Sequence, residues 1–99
     1  MMTEKKAMEL VIHLGQLTTE YCSLERDKEA YYISHIKDMS RTTIVTLYLK
    51  QAYIDSVIKK IIITVDRLNR AEVDFDNECA TLVYNYYAPS LRRGLSDLL

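Results

Sequence analysis

The chain has 99 residues, of which 48% are apolar and 27% are charged, and its formal net charge is −1. This length allows one domain, residues 1–99, with a modest hydrophobic core. Two glycines and one proline are too few for the many tight turns of a β-sandwich or barrel. We therefore expect an all-α fold: a small antiparallel bundle of two long helices followed by two shorter C-terminal helices.

The first predicted helix covers residues 4–38, with Thr3 as its N-cap. Its charged stretch "LERDKEA" contains neither glycine nor proline. We therefore favour one long helix over two helices joined by a solvated turn. The apolar positions recur with helical spacing and comprise Ala7, Leu10, Val11, Leu14, Leu17, Tyr21, Leu24, Tyr32, Ile36 and Met39.

The second predicted helix covers residues 41–69, and Ser40 is a suitable N-cap. Within it, "SVIKKIIITVDRL" contains three consecutive isoleucines, which would also suit a short buried strand at 61–65. The helical spacing extends over some twenty residues, which is long for a strand, so it favours a helix. The predicted inward positions are Leu47, Ile54, Val57, Ile58, Ile61, Val65 and Leu68.

A second row of apolar or small residues lies on the opposite side of this helix. A helix that is apolar on two faces is sandwiched within its domain or between protomers, which predicts a homodimer. Lys50 falls on the main stripe, where we expect it either to extend its charged end to solvent or to set register against an acid such as Glu25; binding of an anionic ligand is the alternative. The candidate interface positions in this row are Val45, Leu49, Ala52 and Ile63.

Residues 40–70 carry six basic and two acidic residues, although the whole chain is almost neutral. Clustered Lys and Arg would suit phosphate contacts with a nucleic acid. Pairing with the acidic segment, residues 72–78, either within the chain or between subunits, is the interpretation we favour. The basic positions are Arg41, Lys59, Lys60, Arg67 and Arg70.

A third helix is predicted over residues 77–88, where Asp76 or Asn77 would cap its start and Pro89 would end it. Its inward face is predicted to hold Cys79, Leu82, Val83 and Tyr86, with Tyr84 and Tyr87 pointing elsewhere. A fourth helix over 91–98 follows. It presents an apolar edge that either packs on the bundle or docks on a partner, formed by Leu91, Leu95, Leu98 and Leu99.

Cys22 and Cys79 lack the spacing of a metal site, so we expect free thiols, with a disulfide between the first helix and the C-terminal region as the alternative. The acidic "DFDN" lacks the glycine and distal glutamate of a calcium loop. No nucleotide-binding or hydrolase motif occurs, and the sequence does not pair a Cys or Ser nucleophile with an obvious histidine base, though the fold could bring one close. We therefore expect a non-enzymatic protein without cofactor or metal.

No signal peptide and no apolar run of about 18 residues are visible, which predicts a cytoplasmic, non-membrane protein (host cytoplasm if viral). The function that fits best is a regulatory or adaptor protein acting through helix-mediated protein interaction. Its partner is unidentified, and a viral or mobile-element origin would fit its small size. The alternative is a nucleic-acid-binding dimer that uses the basic residues of segment 41–70.

Overall fold

The computed structural model describes residues 2–98, and the side chains of residues 2–91. These residues form three helices: α1 (Glu4–His35), α2 (Arg41–Arg70) and α3 (Glu78–Leu98). The all-α prediction is confirmed, and no strand is present in the described part of the chain. The prediction of four helices is wrong, because α3 continues through the region where two shorter helices were expected.

α1 and α2 form an antiparallel hairpin, which the five-residue connection 36–40 closes. Thr3 and Ser40 cap the two helices as predicted, because their hydroxyl oxygens accept from the backbone N–H groups of Lys6 and Thr43, each at 3.2 Å. α1 runs unbroken through "LERDKEA", which confirms the single long helix. The three isoleucines lie within α2, so the alternative of a strand at 61–65 is wrong.

Residues 71–77 connect α2 to α3 and end beside α1. Glu72 has φ of 55° and follows the last turn of α2, where Val73 N donates to Leu68 O at 3.0 Å and Glu72 N donates to Asn69 O at 3.1 Å. These two bonds form a Schellman motif, which reverses the chain at the end of a helix. The partly buried Val73 and Phe75 then pack against the core.

Asn77 starts α3 at the middle of α1, because its side-chain nitrogen donates to the Thr18 hydroxyl at 3.1 Å. Its side-chain oxygen accepts from Ala80 N at 3.0 Å, which makes it the N-cap of α3 as predicted. From this point α3 packs mainly on α2. The Tyr84 hydroxyl donates to Asp66 at 2.6 Å, linking α3 to the second half of α2.

The face that α3 buries differs from the predicted one. Val83 is buried as expected, but Leu82 and Tyr86 are exposed and point outward. Tyr84 and Tyr87, which were expected to point elsewhere, pack against the core instead. The true inward face is thus rotated by about a quarter turn, because α3 contacts both α1 and α2 and its contact side depends on where it crosses them.

Pro89 does not end the helix. Proline cannot donate a backbone hydrogen bond, but its fixed φ suits a helix. Side chains on both sides of it are held on the core: Ala88 is buried, and Leu91 lines a crevice with Ile58 and Ile62 of α2. This packing offsets the lost hydrogen bond and keeps the residues around Pro89 helical.

Candidate interaction surface

The hydrophobic core occupies only one end of the hairpin. We call residues 24–53 the distal half; α3 meets α1 at Thr18 and Cys22, outside this half. Residues 18–53, all of which the structure describes, contain no buried apolar side chain. The buried core residues are Leu10, Leu14, Leu17, Ile54, Val57, Ile58, Ile61, Ile62, Val65, Leu68, Ala80, Val83 and Ala88.

Equivalent positions on the same helix face have opposite environments in the two halves. Residues 18 apart lie five full turns apart and point in the same direction, because a helix turns about 100° per residue. Ile62 is 3% exposed, whereas Ile44, 18 residues earlier in α2, is 45% exposed. In α1, Leu14 is fully buried while Tyr32 is 42% exposed. The distal half therefore repeats the apolar pattern of the core without a third helix to cover it.

The exposed apolar side chains concentrate in the distal half. Of the 14 large hydrophobic residues exposed among the described side chains, nine lie between residues 32 and 53. Four of them lie on the same side of the hairpin that α3 covers over the core. We call these four the distal face: Tyr32, Ile36, Ile44 and Tyr48. Beside this face, Tyr32 and the half-buried Leu47 line an open groove between α1 and α2. A contiguous apolar surface of this kind is typical of an interaction site.

Polar contacts, rather than a core, join the two helices in the distal half. Lys50 Nζ lies 2.6 Å from Asp27 Oδ2 and 5.2 Å from the centre of the Tyr31 ring. Lys28 donates to Gln51, a second link across the hairpin. Lys50 thus has the register role that the sequence predicted, but its acidic partner is Asp27 and not Glu25. These contacts leave the apolar side chains of the distal face uncovered.

The predicted interface residues fall into three groups. All four of the α2 row are exposed: Val45, Leu49, Ala52 and Ile63. Ile63, however, lies away from the distal face, in the part of the hairpin outside residues 24–53, which we call the proximal half. Leu91 packs against the core, which is the first of the two alternatives given for the C-terminal edge. The side chains of Leu95 and Leu98, and residue Leu99, lie outside the described residues.

The predicted basic residues are all exposed, and they lie on the outer side of α2: Arg41, Lys59, Lys60, Arg67 and Arg70. Pairing with the acidic segment of the same chain is not observed among the described side chains, and pairing between subunits stays a prediction. Within residues 2–91, the ion pairs are Lys6–Glu9 and Lys50–Asp27, and neither involves the basic face or residues 72–78. The acidic segment instead forms the turn after α2 and the start of α3. Opposite charges were expected to meet because they are neighbours in the chain, but no ion pair joins them within the described side chains.

Sequence reasoning missed the distal face, although its signal was present. Tyr32 and Ile36 were assigned to the buried stripe of α1, and Ile44 and Tyr48 were not singled out. The sequence shows that Ile44 and Ile62 lie 18 residues apart and so point the same way. It does not show which of these two residues α3 covers.

Other kinds of site have little support in the described residues. No group of three or more His, Cys, Asp or Glu side chains there could hold a metal ion, and none of the described helices is long and apolar enough to cross a membrane. His13 is exposed, and His35 stacks on Tyr31 with 4.1 Å between ring centres. No family model, curated protein or solved structure matches this chain.

Proposed function

We propose that this protein is a small non-enzymatic interaction module that works as a homodimer, in which the distal halves of two hairpins pack together. The observation that carries this proposal is the exposure of Ile44 on the same helix face where Ile62 is buried by α3. In a dimer, the two helices of the second copy take the place that α3 occupies over the core. The resulting arrangement is a four-helix contact with two-fold symmetry.

Charge supports a second copy as the occupant. Residues 24–53 contain five basic and four acidic residues, so this half is almost neutral. Two copies approach without strong repulsion, and a symmetric interface places each apolar side chain opposite the same surface. A strongly charged partner would find no complementary patch on the distal face.

The available area also supports a dimer. The four side chains of the distal face are between 42% and 75% exposed. At roughly 150–200 Å² per side chain, they offer on the order of 400 Å² of apolar surface. This is about half of the ~800 Å² that each partner buries in a stable interface, and the neighbouring side chains of the hairpin supply the rest. Removing this area from water would offset the cost of association.

A dimer of this kind fits a regulatory or adaptor role. Two-fold symmetry presents two copies of the outer side of α2 to further partners, where Val45 and Leu49 stay available for a protein ligand. Specific recognition by helix faces needs no catalytic group, in agreement with the lack of catalytic motifs in the sequence.

Sedimentation equilibrium at micromolar concentration tests the proposal. We expect a species with twice the 11.6 kDa chain mass. Ile44→Asp combined with Tyr48→Asp should weaken dimerisation at least about tenfold, because it places charge in the centre of the apolar contact. Circular dichroism of the variant should stay helical, since both residues are exposed in the single chain.

Ile63→Asp is the matched control, because Ile63 is 57% exposed on the same helix but lies among basic residues in the proximal half. It should leave the dimer intact. If Ile63→Asp and Leu49→Asp dissociate the dimer while the distal-face variant does not, the interface is the outer row of α2 instead. A monomer at all concentrations for the unmodified chain would reject the homodimer.

Nucleic-acid binding is the second candidate function. It is favoured by the exposure of Lys59, Lys60, Arg67 and Arg70 without an ion pair to other described residues. Such a surface would bind phosphate with an affinity that falls steeply with salt. The slight negative charge of the chain and the neighbouring acidic segment oppose it.

A salt titration of DNA and RNA binding tests this candidate. Binding that Lys59→Glu with Lys60→Glu abolishes would establish it, whereas absence of binding at low salt would reject it. Lys5→Glu with Lys6→Glu is the control, because it makes the same charge change at two exposed lysines of α1.

A further inference from the structure

The two cysteines lie together although they are 57 residues apart in the chain. Cys22 Sγ in α1 and Cys79 Sγ in the first turn of α3 are 3.9 Å apart, and both are free thiols in this structure. The two sulfur atoms are in contact, about 1.9 Å farther apart than the atoms of a disulfide bond. Asn77 already holds this end of α3 on Thr18, so the two sulfur atoms are kept close.

We propose that Cys22 and Cys79 form a reversible intrachain disulfide by exchange with a small-molecule disulfide of the glutathione class, and that this bond fastens α3 to α1. The cysteine pair lies outside the distal face, so the test of this proposal does not depend on whether the protein dimerises.

The pair is accessible to a small oxidant. An open crevice of about 350 Å³ lies over it, lined by both cysteines and by polar side chains that include Ser23 and Arg26. Burial raises the pKa of the Cys79 thiol, and the contact with Cys22 raises it further. The same bond forms whether Cys22 or Cys79 attacks the small disulfide first.

With Cys22 attacking first, the exchange balances in two steps. The Cys22 thiolate attacks one sulfur of the small disulfide, forming a mixed disulfide and releasing one small thiol. The Cys79 thiolate then attacks the Cys22 sulfur of the mixed disulfide, forming the Cys22–Cys79 bond and releasing the second small thiol. The two protein thiols lose two protons and two electrons, and the small disulfide takes up both.

Mass spectrometry of the full chain after incubation with oxidised glutathione tests the proposal. We expect the intact mass to fall by two hydrogen atoms, with no retained glutathione, and digestion to give one peptide linking Cys22 to Cys79. The melting temperature should rise by roughly 10–20 °C, because the bond closes a long loop in the unfolded chain. Dithiothreitol should reverse both changes.

Cys22→Ser and Cys79→Ser are matched controls, since each removes one partner with little change in size. Cys79→Ser should stop at the glutathione adduct and keep its original melting temperature. The proposal is overturned if the unmodified chain stays reduced, retains glutathione on both cysteines, or links only to other chains. If the disulfide forms but the melting temperature does not rise, the proposal that this bond fastens α3 to α1 is rejected.

Discussion

The side chain of Asn77 joins the start of α3 to the middle of α1 by donating to the Thr18 hydroxyl at 3.1 Å. The same amide caps α3 through Ala80 N, and the Thr18 hydroxyl in turn donates to Leu14 O at 3.1 Å. One side chain therefore fixes both where α3 begins and where it meets the hairpin.

Asn77→Ala should reduce the free energy of unfolding by about 1–3 kcal/mol, because it removes a helix cap and a partly buried hydrogen bond. Urea unfolding followed by circular dichroism measures the change. Thr18→Val removes the other partner, and the double variant should cost less than the sum of the single changes. Asn85→Ala, at an exposed position of α3, should change stability by less than about 0.5 kcal/mol. Additive costs for Asn77 and Thr18 would contradict a coupling between them.

Glu72 occupies a backbone conformation that favours glycine, with φ of 55° at the end of α2. Glu72→Gly should therefore stabilise the protein by about 1 kcal/mol, since glycine adopts positive φ without steric cost. The midpoint of urea unfolding is the measurement. Glu72→Ala is the control, because it removes the charge and keeps the strain, and it should give no gain. Equal stabilisation by both variants would show that the carboxylate, not the backbone, is responsible.

Tyr21 should make stability fall at alkaline pH. Burial raises its pKa above the ordinary value, and the Glu25 carboxylate and Tyr87 raise it further. The unfolded chain therefore releases the Tyr21 proton first, so this contribution to stability is complete below about pH 10 and is lost as pH rises above it. Melting temperatures between about pH 8 and 11 measure this slope.

Tyr21→Phe should make the alkaline fall in melting temperature shallower, because the ionising group is removed. Tyr53→Phe serves as the control, since Tyr53 is 58% exposed and lies outside the distal face, and it should leave the slope unchanged. Equal slopes for the unmodified chain and Tyr21→Phe would contradict the assignment to Tyr21.

The sequence by itself determined where the three helices begin. Thr3, Ser40 and Asn77 start the three helices because their side chains accept from backbone N–H groups of the first turn, a local interaction that needs no tertiary contact. The spacing around Ile61 likewise predicted the buried stripe of α2, because helical periodicity fixes the direction of each side chain around the axis.

Only the tertiary structure decided which positions along each helix are covered by another helix. Ile44 and Ile62 point the same way from α2, and periodicity cannot distinguish them; α3 covers one and leaves the other exposed. The contacts of Ala88 and Leu91 also decided that the helix continues through Pro89. Periodicity gives an angle around one helix axis, whereas burial depends on where along that axis another helix crosses. Contacts between residues distant in the chain set that position, as Asn77 does when it places α3 on Thr18.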